Sequence, residues 1–236
     1  MSRPMMDHDA FLERLSRDTV RQVGASLRSL YFGGSRAIGA GIPSSDWDLF
    51  GIVEDTYDFD GEEARNSSLS EAAGEPVRLR GIAASELADG PQHGTLTKYI
   101  PLPVLLRGLP SWRHLAGKPL APEDIIVRPA TAREELAHDL ARLLEHREAA
   151  ERGELPFAFG DYLKTFLMLV ESEQELRGHP FTLDYREVAR REKDRAHLAH
   201  RALAMRNGMD LGRGRFLAEL DTYLAAVKRA YKSTSD

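Results

Sequence analysis

The feature that most constrains this chain is the stretch 31–53, in which a turn rich in glycine and serine joins two apolar segments. The first segment ends in Gly-Gly-Ser at 33–35, and the second opens with Asp46 and Asp48. Alternate residues of a strand point to the same face of a sheet, so the two carboxylates share a face and Trp47 points away. Because neighbouring carboxylates repel each other unless a cation lies between them, this pattern predicts a bound cation.

The Gly-Gly-Ser turn predicts a phosphate site beside that cation. Glycine lets the backbone approach a ligand closely, and the N–H groups that open a helix attract phosphate oxygens. The Ser35 hydroxyl adds one more donor. Mg²⁺ is typically bound by one or two carboxylates together with the phosphates of a substrate. The two halves together indicate transfer of a phosphoryl or nucleotidyl group.

Hydrophobic periodicity predicts an N-terminal part that contains strands. A first helix is predicted from Asp9 to about Leu27, with an apolar stripe of Phe11, Leu12, Leu15, Val20, Val23 and Leu27. Strands are predicted at 28–32, 48–53 and 76–83, where short apolar segments are bounded by turn residues. The polar segment 54–75 is predicted to be an irregular loop.

The C-terminal part is predicted to be helical. Leucines recur at helical spacing in the segment 134–152, and the segment 160–178 is apolar over most of its circumference. A last helix is predicted at about 215–232. Prolines interrupt any regular element between about residues 120 and 132. We therefore expect two domains, 1–125 and 126–236.

Composition excludes several classes of protein. Hydrophobic residues make up 42% of the 236 residues and charged residues 29%, as in an ordinary globular protein. The chain has no cysteine, which excludes disulfides, cysteine nucleophiles and thiolate zinc sites. Its N-terminus lacks the apolar core of a secretion signal, and no apolar run is long enough for a membrane helix. We expect a cytoplasmic protein with no membrane partner.

The order of the parts in the stretch 31–53 is more specific than either half alone. An apolar strand, a Gly-Gly-Ser turn and a short linker are followed by Asp-X-Asp at the start of a second strand; the matching positions are Gly34, Ser35, Asp46, Trp47, Asp48 and Leu49. This pattern resembles the signature of the DNA polymerase β-like nucleotidyltransferase superfamily. The small size and helical C-terminal half look most like its minimal and antibiotic-modifying members. Beyond this stretch the resemblance is one of layout only.

The resemblance implies an α/β (α+β) nucleotidyltransferase domain with a small mixed sheet, followed by a helical C-terminal domain. It implies a nucleoside triphosphate, with ATP the expected one, bound as its Mg²⁺ complex. Asp46 and Asp48 would be the catalytic residues and would hold one or two metal ions. The nucleotide-binding residues would be Gly33, Gly34, Ser35 and Arg36, together with Lys164 from the helical half. Alternatively, Lys164 extends to solvent and pairs with an acidic side chain.

The implied reaction transfers a nucleoside monophosphate to an acceptor. A hydroxyl group of the acceptor attacks the α-phosphorus, and pyrophosphate is released. The default nucleotide is AMP, and the acceptor is unknown, with a small molecule favoured over RNA or protein. From His179 onward the chain carries 12 Lys and Arg against 8 Asp and Glu, an excess more typical of a solvated helix face than of an RNA-binding surface. Lys98 and Tyr99 are further candidates to contact the nucleotide, unless they are merely exposed.

The third predicted strand departs from the superfamily pattern. Most active members carry a third carboxylate there, commonly the base that prepares the acceptor, but this chain has Arg78 and Arg80. Arginine does not accept a proton at neutral pH, and it repels a metal ion. Three explanations stay open: Glu75 fills the role, the acceptor or another side chain supplies the base, or transfer is inefficient. The last makes the protein a nucleotide-binding or interaction protein with impaired or no activity.

Overall fold

The structure is a computed structural model that describes residues 7–42, 45–90, 92–94, 97, 100–152 and 159–232. Its contacts divide the chain into two units, of which the first ends at Pro129 and the second begins at Ala130. The two domains expected from the sequence, with a boundary at 125/126, stay a prediction.

The first unit contains a four-stranded mixed sheet. Its strands, in the spatial order β3-β2-β1-β4, are β1 (Leu27–Gly33), β2 (Trp47–Val53), β3 (Val77–Ala83) and β4 (Arg113–Gly117). Strand β1 is antiparallel to β2 and β4, and β2 is parallel to β3. The three strands predicted from the sequence are confirmed to within one residue at each end, whereas β4 was not predicted.

The sheet has two differently covered faces. Helices α1 (His8–Val23) and α3 (Glu62–Ala73) cover one face, where the ring of Trp47 lies 4.4 Å from that of Phe11. The other face buries Tyr31, Phe50, Ile52 and Ile82 against Leu87, Leu102 and Leu106. Two short helices, α2 (Gly34–Ala37) and α4 (Leu102–Leu106), complete the α-helices of this unit among the described residues. Alternation along β2 therefore separates a fully covered face from the face that carries the aspartates.

The first helix is shorter than the sequence pattern predicts. It ends at Val23 because Gly24 follows with φ 66°, a left-handed conformation suited to glycine, and donates its N–H to the carbonyl of Val20. Val20 is exposed rather than part of the buried stripe. Leu27, predicted as the last member of that stripe, begins β1 instead.

The prediction of an irregular loop at 54–75 is wrong, because α3 occupies Glu62–Ala73. The helix lacks a long apolar stripe, so hydrophobic periodicity does not reveal it. Its buried residues are Glu62, Asn66 and Leu69, of which two are polar. These polar side chains bind backbone groups that a loop would leave exposed.

The polar side chains of α3 bind the outer edge of β3. Three acceptors spaced four residues apart on the helix receive alternate N–H groups of the strand: Ser70 Oγ from Val77 at 2.9 Å, Asn66 Oδ1 from Leu79 at 2.6 Å and Glu62 Oε1 from Gly81 at 2.6 Å. Four helical residues advance about 6 Å and two strand residues about 6.6 Å, so the spacings match. The bonds satisfy donors of an edge strand and block that edge from pairing with another chain.

The second unit is helical, as expected. Its helices are α5 (Ala132–Glu145), α6 (Arg147–Arg152), α7 (Phe159–Leu176), α8 (Tyr185–Arg191), α9 (Leu198–Arg206) and α10 (Arg213–Lys232). The predicted apolar helix is α7, whose Tyr162 and Phe166 are fully buried, and it packs against α5, α8 and α9. In the part of the chain that the structure describes, no helix has the length and apolarity needed to cross a membrane.

Asn66→Ala tests the contribution of α3 to the sheet. The substitution leaves the buried N–H of Leu79 without its side-chain acceptor, so we expect a loss of about 1–3 kcal/mol in the free energy of unfolding. Ser67→Ala, at an exposed position of the same helix, also replaces a polar side chain by alanine and should stay within about 0.5 kcal/mol of wild type. Urea titration measures both. Equal effects would show that the Asn66 contact does not stabilise the edge.

His138 predicts a pH dependence in the second unit. Burial and the nearby Arg142 cation lower the pKa of His138 from 6.5 to about 4. Between these values the unfolded chain binds more protons than the folded one, so stability falls as pH falls from about 6.5 towards 4. His138→Gln should reduce this fall by about 1–2 kcal/mol, allowing for partial exposure. Urea titrations across this range test it, with the exposed His179→Gln as a control that should keep the wild-type slope.

Candidate functional site

The Gly-Gly-Ser turn connects β1 to α2 and lies against side chains from the neighbouring strands. Gly34 has φ 70°, and a Cβ atom added to it would clash with the carboxylate of Asp48. A Cβ atom on Gly33 would lie 2.6 Å from Cε2 of Phe50 and 2.9 Å from Cδ1 of Trp112. The rings of Phe50 and Trp112 stack in parallel with centroids 4.2 Å apart. Both glycines are therefore required because other side chains occupy the space of a β-carbon.

The two aspartates stand at the start of β2. Asp46 precedes the strand and Asp48 is its second residue, and both side chains are partly exposed, whereas Trp47 between them is only 1% exposed. Asp48 is the register partner of Gly33 on β1 and of Arg78 on β3. The structure thus brings the carboxylates and the Gly-Gly-Ser turn together, as the sequence pattern predicts. Their roles in binding and catalysis stay predictions.

Arg78 forms an ion pair with Asp46, and this pairing was not foreseen. Its Nε atom lies 2.6 Å from Oδ2 of Asp46, diagonally across the parallel strands β2 and β3. The Arg78 side chain is 53% exposed and that of Asp46 27% exposed. Part of the positive charge that the two carboxylates require is therefore supplied by the protein itself. The only sequence signal for this pair was an arginine in the place of an expected carboxylate.

Arg36 is held by contacts within the site. Its Nε atom donates to the carbonyl of Ser45 at 2.8 Å, and Nη2 lies 3.8 Å from Oε2 of Glu75. The guanidinium also lies over the ring of Trp47, 4.8 Å from its centroid. These contacts connect α2 to the start of β2. They also place the guanidinium of Arg36 beside the carboxylate of Glu75, which is one candidate base. The predicted role of Arg36 in binding phosphate stays a prediction.

Two serines close the connection between α2 and β2. The Ser35 hydroxyl donates to Oγ of Ser45 at 3.3 Å, and that oxygen also accepts the N–H of Ile42 at 2.9 Å. The carbonyl of Ser35 accepts the N–H of Ala40 at 2.8 Å. These bonds hold the segment between α2 and β2 in a compact turn.

Three further residues were candidates from the sequence. Lys164 lies on α7 in the second unit with an exposed side chain, and its contact with nucleotide stays a prediction. Lys98 and Tyr99 lie outside the described residues.

Asp46 and Asp48 fit a Mg²⁺ ion that is shared with phosphate. Their carboxylate oxygens are the hard donors that Mg²⁺ prefers, and their partial exposure leaves room for waters or phosphate oxygens. Among the described residues, no group of three or more His, Asp or Glu side chains is arranged to hold a metal ion. The donor set therefore suits an ion bound jointly with a substrate and not one enclosed by protein.

Gly34→Ala tests the close packing of the turn on Asp48, with Gly39→Ala as a matched control. Both glycines have φ near 70°, but an added Cβ meets nothing within 4 Å at Gly39. The backbone strain is about 1–2 kcal/mol in either variant. We expect Gly34→Ala to lower the free energy of unfolding by about 1–2 kcal/mol more, because Asp48 must move. Urea titration measures the difference in the free energy of unfolding. Equal losses in the two variants would show that the packing of Asp48 against Gly34 does not contribute to stability.

Comparisons with known proteins support the fold. No protein-family model and no curated protein matches the chain. The crystal structure of spectinomycin adenyltransferase AAD(9) from Enterococcus faecialis with ATP and spectinomycin is similar, with a TM-score of 0.57 and 14% identity over 92% of this chain and 99% of that chain. A toxin–antitoxin structure with AMP-PNP matches more weakly, with a TM-score of 0.34 and 16% identity over 60% of this chain and 91% of that chain. That likeness is too weak to support a conclusion. The chain therefore shares the fold of this adenyltransferase structure, a small mixed sheet followed by a helical part, in agreement with the layout implied by the stretch 31–53.

Proposed function

We propose that the protein is a cytoplasmic, Mg²⁺-dependent nucleotidyltransferase that moves AMP from ATP to a hydroxyl group of a small molecule. The observation that carries this proposal is the packing of the Gly-Gly-Ser turn against Asp48, beside Asp46, within this fold. The similar adenyltransferase was solved with ATP and spectinomycin, which favours ATP as the donor and a small molecule as the acceptor.

The residues of the turn would bind the triphosphate. Gly33, Gly34 and Ser35 would receive the β- and γ-phosphates on backbone N–H groups at the start of α2. Arg36 lies one residue further on and adds positive charge, while its hydrogen bond to the carbonyl of Ser45 keeps the turn in position. Lys164 is proposed as a phosphate ligand on the family resemblance alone.

Asp46 and Asp48 would hold the metal, and a bound Mg²⁺ would neutralise phosphate charge and polarise the phosphoryl group under attack. The acceptor oxygen would form a bond to the α-phosphorus as the bond from that phosphorus to the bridging oxygen breaks and pyrophosphate leaves. The hydroxyl proton must pass to a base. Glu75, paired with Arg36 at 3.8 Å, is the candidate at the start of β3, and the acceptor itself or another side chain is the alternative.

The ion pair between Arg78 and Asp46 favours a second candidate function. An arginine stands in register with Asp48 where a carboxylate was expected, and it already neutralises Asp46. A protein with this arrangement can bind a nucleotide without transferring it efficiently, because a guanidinium cannot take the proton of the acceptor. On this alternative the protein is a nucleotide-binding or interaction protein.

Calorimetric titration with ATP tests the site. We expect wild-type protein to bind ATP in the presence of Mg²⁺ and to lose at least about tenfold in affinity in Asp46→Asn/Asp48→Asn, because the metal loses its ligands. Asp58→Asn/Asp60→Asn removes two exposed aspartates with the same spacing and serves as the matched control, with affinity unchanged. Binding that ignores both the metal and the Asp46/Asp48 variant would contradict the proposed metal site.

A transfer assay separates the two candidate functions. ATP labelled at the α-phosphate is incubated with Mg²⁺, the protein and a panel of hydroxyl-bearing compounds that includes spectinomycin. Label on an acceptor, with release of pyrophosphate, is the outcome expected for a transferase. Tight Mg²⁺-dependent ATP binding without label on any acceptor, RNA and protein included, would favour the nucleotide-binding alternative.

A further inference from the structure

The site contains two arginines that are held very differently. Arg36 contacts Ser45, Glu75 and the ring of Trp47, and its side chain is 18% exposed. Arg78 has a side chain that is 53% exposed, and its ion-pair partner within the described part of the chain is Asp46. Arg36 is therefore fixed in place by several contacts, whereas Arg78 can leave its partner by rotation of an exposed side chain.

The position of Arg78 sets it in competition with a metal ion. It binds Oδ2 of Asp46, one of the oxygens that a Mg²⁺ ion would use, and it stands in register with Asp48. A cation entering between the two aspartates must displace the guanidinium or be repelled by it. A triphosphate changes this balance, because arginine binds phosphate oxygens with strong charge-assisted hydrogen bonds.

We propose that Arg78 excludes divalent metal from Asp46 until a triphosphate takes over its guanidinium. In the free protein Arg78 neutralises Asp46, and metal binds weakly. When the nucleotide arrives, Arg78 moves to the phosphate oxygens and Asp46 becomes available to the metal. Arg78 is thus a specificity-determining residue that couples metal binding to nucleotide binding. This inference rests on the proposed function, since it takes the nucleotide site of the Gly-Gly-Ser turn as given.

The proposal explains how an arginine can occupy this strand without destroying the site. The same side chain that repels a lone metal ion becomes a ligand for the triphosphate once the nucleotide is present. Arg80, two residues further along β3 and in register with Phe50, lies on the same face but further from the start of the strand. It provides a matched comparison, because it carries the same charge on the same strand.

Two binary titrations test the proposal with Arg78→Met, which removes the charge and keeps an unbranched side chain. Mn²⁺ binding in the absence of nucleotide is followed by the loss of its free electron paramagnetic resonance signal, and we expect about tenfold tighter binding than in wild type. ATP binding in EDTA is followed by calorimetry, and we expect about tenfold weaker binding. Arg80→Met should stay within about twofold of wild type in both titrations.

Opposite changes in the two affinities are the signature of this role, since a merely structural defect would weaken both. The gain in Mn²⁺ affinity should disappear in Arg78→Met/Asp46→Asn, which removes the oxygen that the arginine covers. Mn²⁺ affinity that is equal in wild type and Arg78→Met would overturn the proposal, and intact Mg²⁺-dependent ATP binding in the same preparations would show that the proposed function survives. Absence of ATP binding in every variant would overturn the proposed function, and with it the proposal that a triphosphate draws Arg78 away from Asp46. The Mn²⁺ titrations would still decide whether Arg78 excludes the metal.

Discussion

The architecture of the site depends on the hydrogen bonds that α3 makes to the outer edge of β3. Strand β3 is parallel to β2, and only its inner edge is paired with another strand. Glu62, Asn66 and Ser70 bind the outward N–H groups and so satisfy an edge that water or another chain would otherwise contact. Because β3 is fixed in this register, the guanidinium of Arg78 lies beside Asp46. Helix α3 packs on one face of the sheet and thereby helps to position the charged side chains on the other face.

The balance of charge is the second property that organises the site. Asp46, Asp48 and Glu75 are negative, and Arg36 and Arg78 are paired with two of them. The pair of Arg78 and Asp46 is partly exposed, so it contributes little to folding stability by itself. Their importance lies in what they leave for a ligand. A triphosphate and a divalent ion together bring both signs of charge, and they can replace the internal pairs with stronger ones.

The sequence predicted the parts of the fold that depend on local pattern. Gly-Gly marks the end of β1 and Pro76 precedes β3. The alternation of Asp46, Trp47 and Asp48 predicted that Trp47 points away from the two aspartates, and Trp47 is buried between two partly exposed side chains. Helix α3 was missed because its buried side chains are mainly polar and bind backbone groups, which hydrophobic periodicity does not detect. Strand β4 was missed because it is an edge strand with no fully buried side chain. The pair of Arg78 and Asp46 joins two strands and depends on their register, which no local pattern encodes.

The aromatic residues around the Gly-Gly-Ser turn have an optical consequence. The chain contains two tryptophans, and both belong to this region. Trp47 lies between the aspartates beneath the guanidinium of Arg36, and Trp112 stacks on Phe50 against Gly33. Tryptophan fluorescence of the whole protein therefore comes from indoles at the candidate site, without a background of distant tryptophans. A change in the tryptophan emission of the unmodified protein therefore reports a change in the surroundings of this turn.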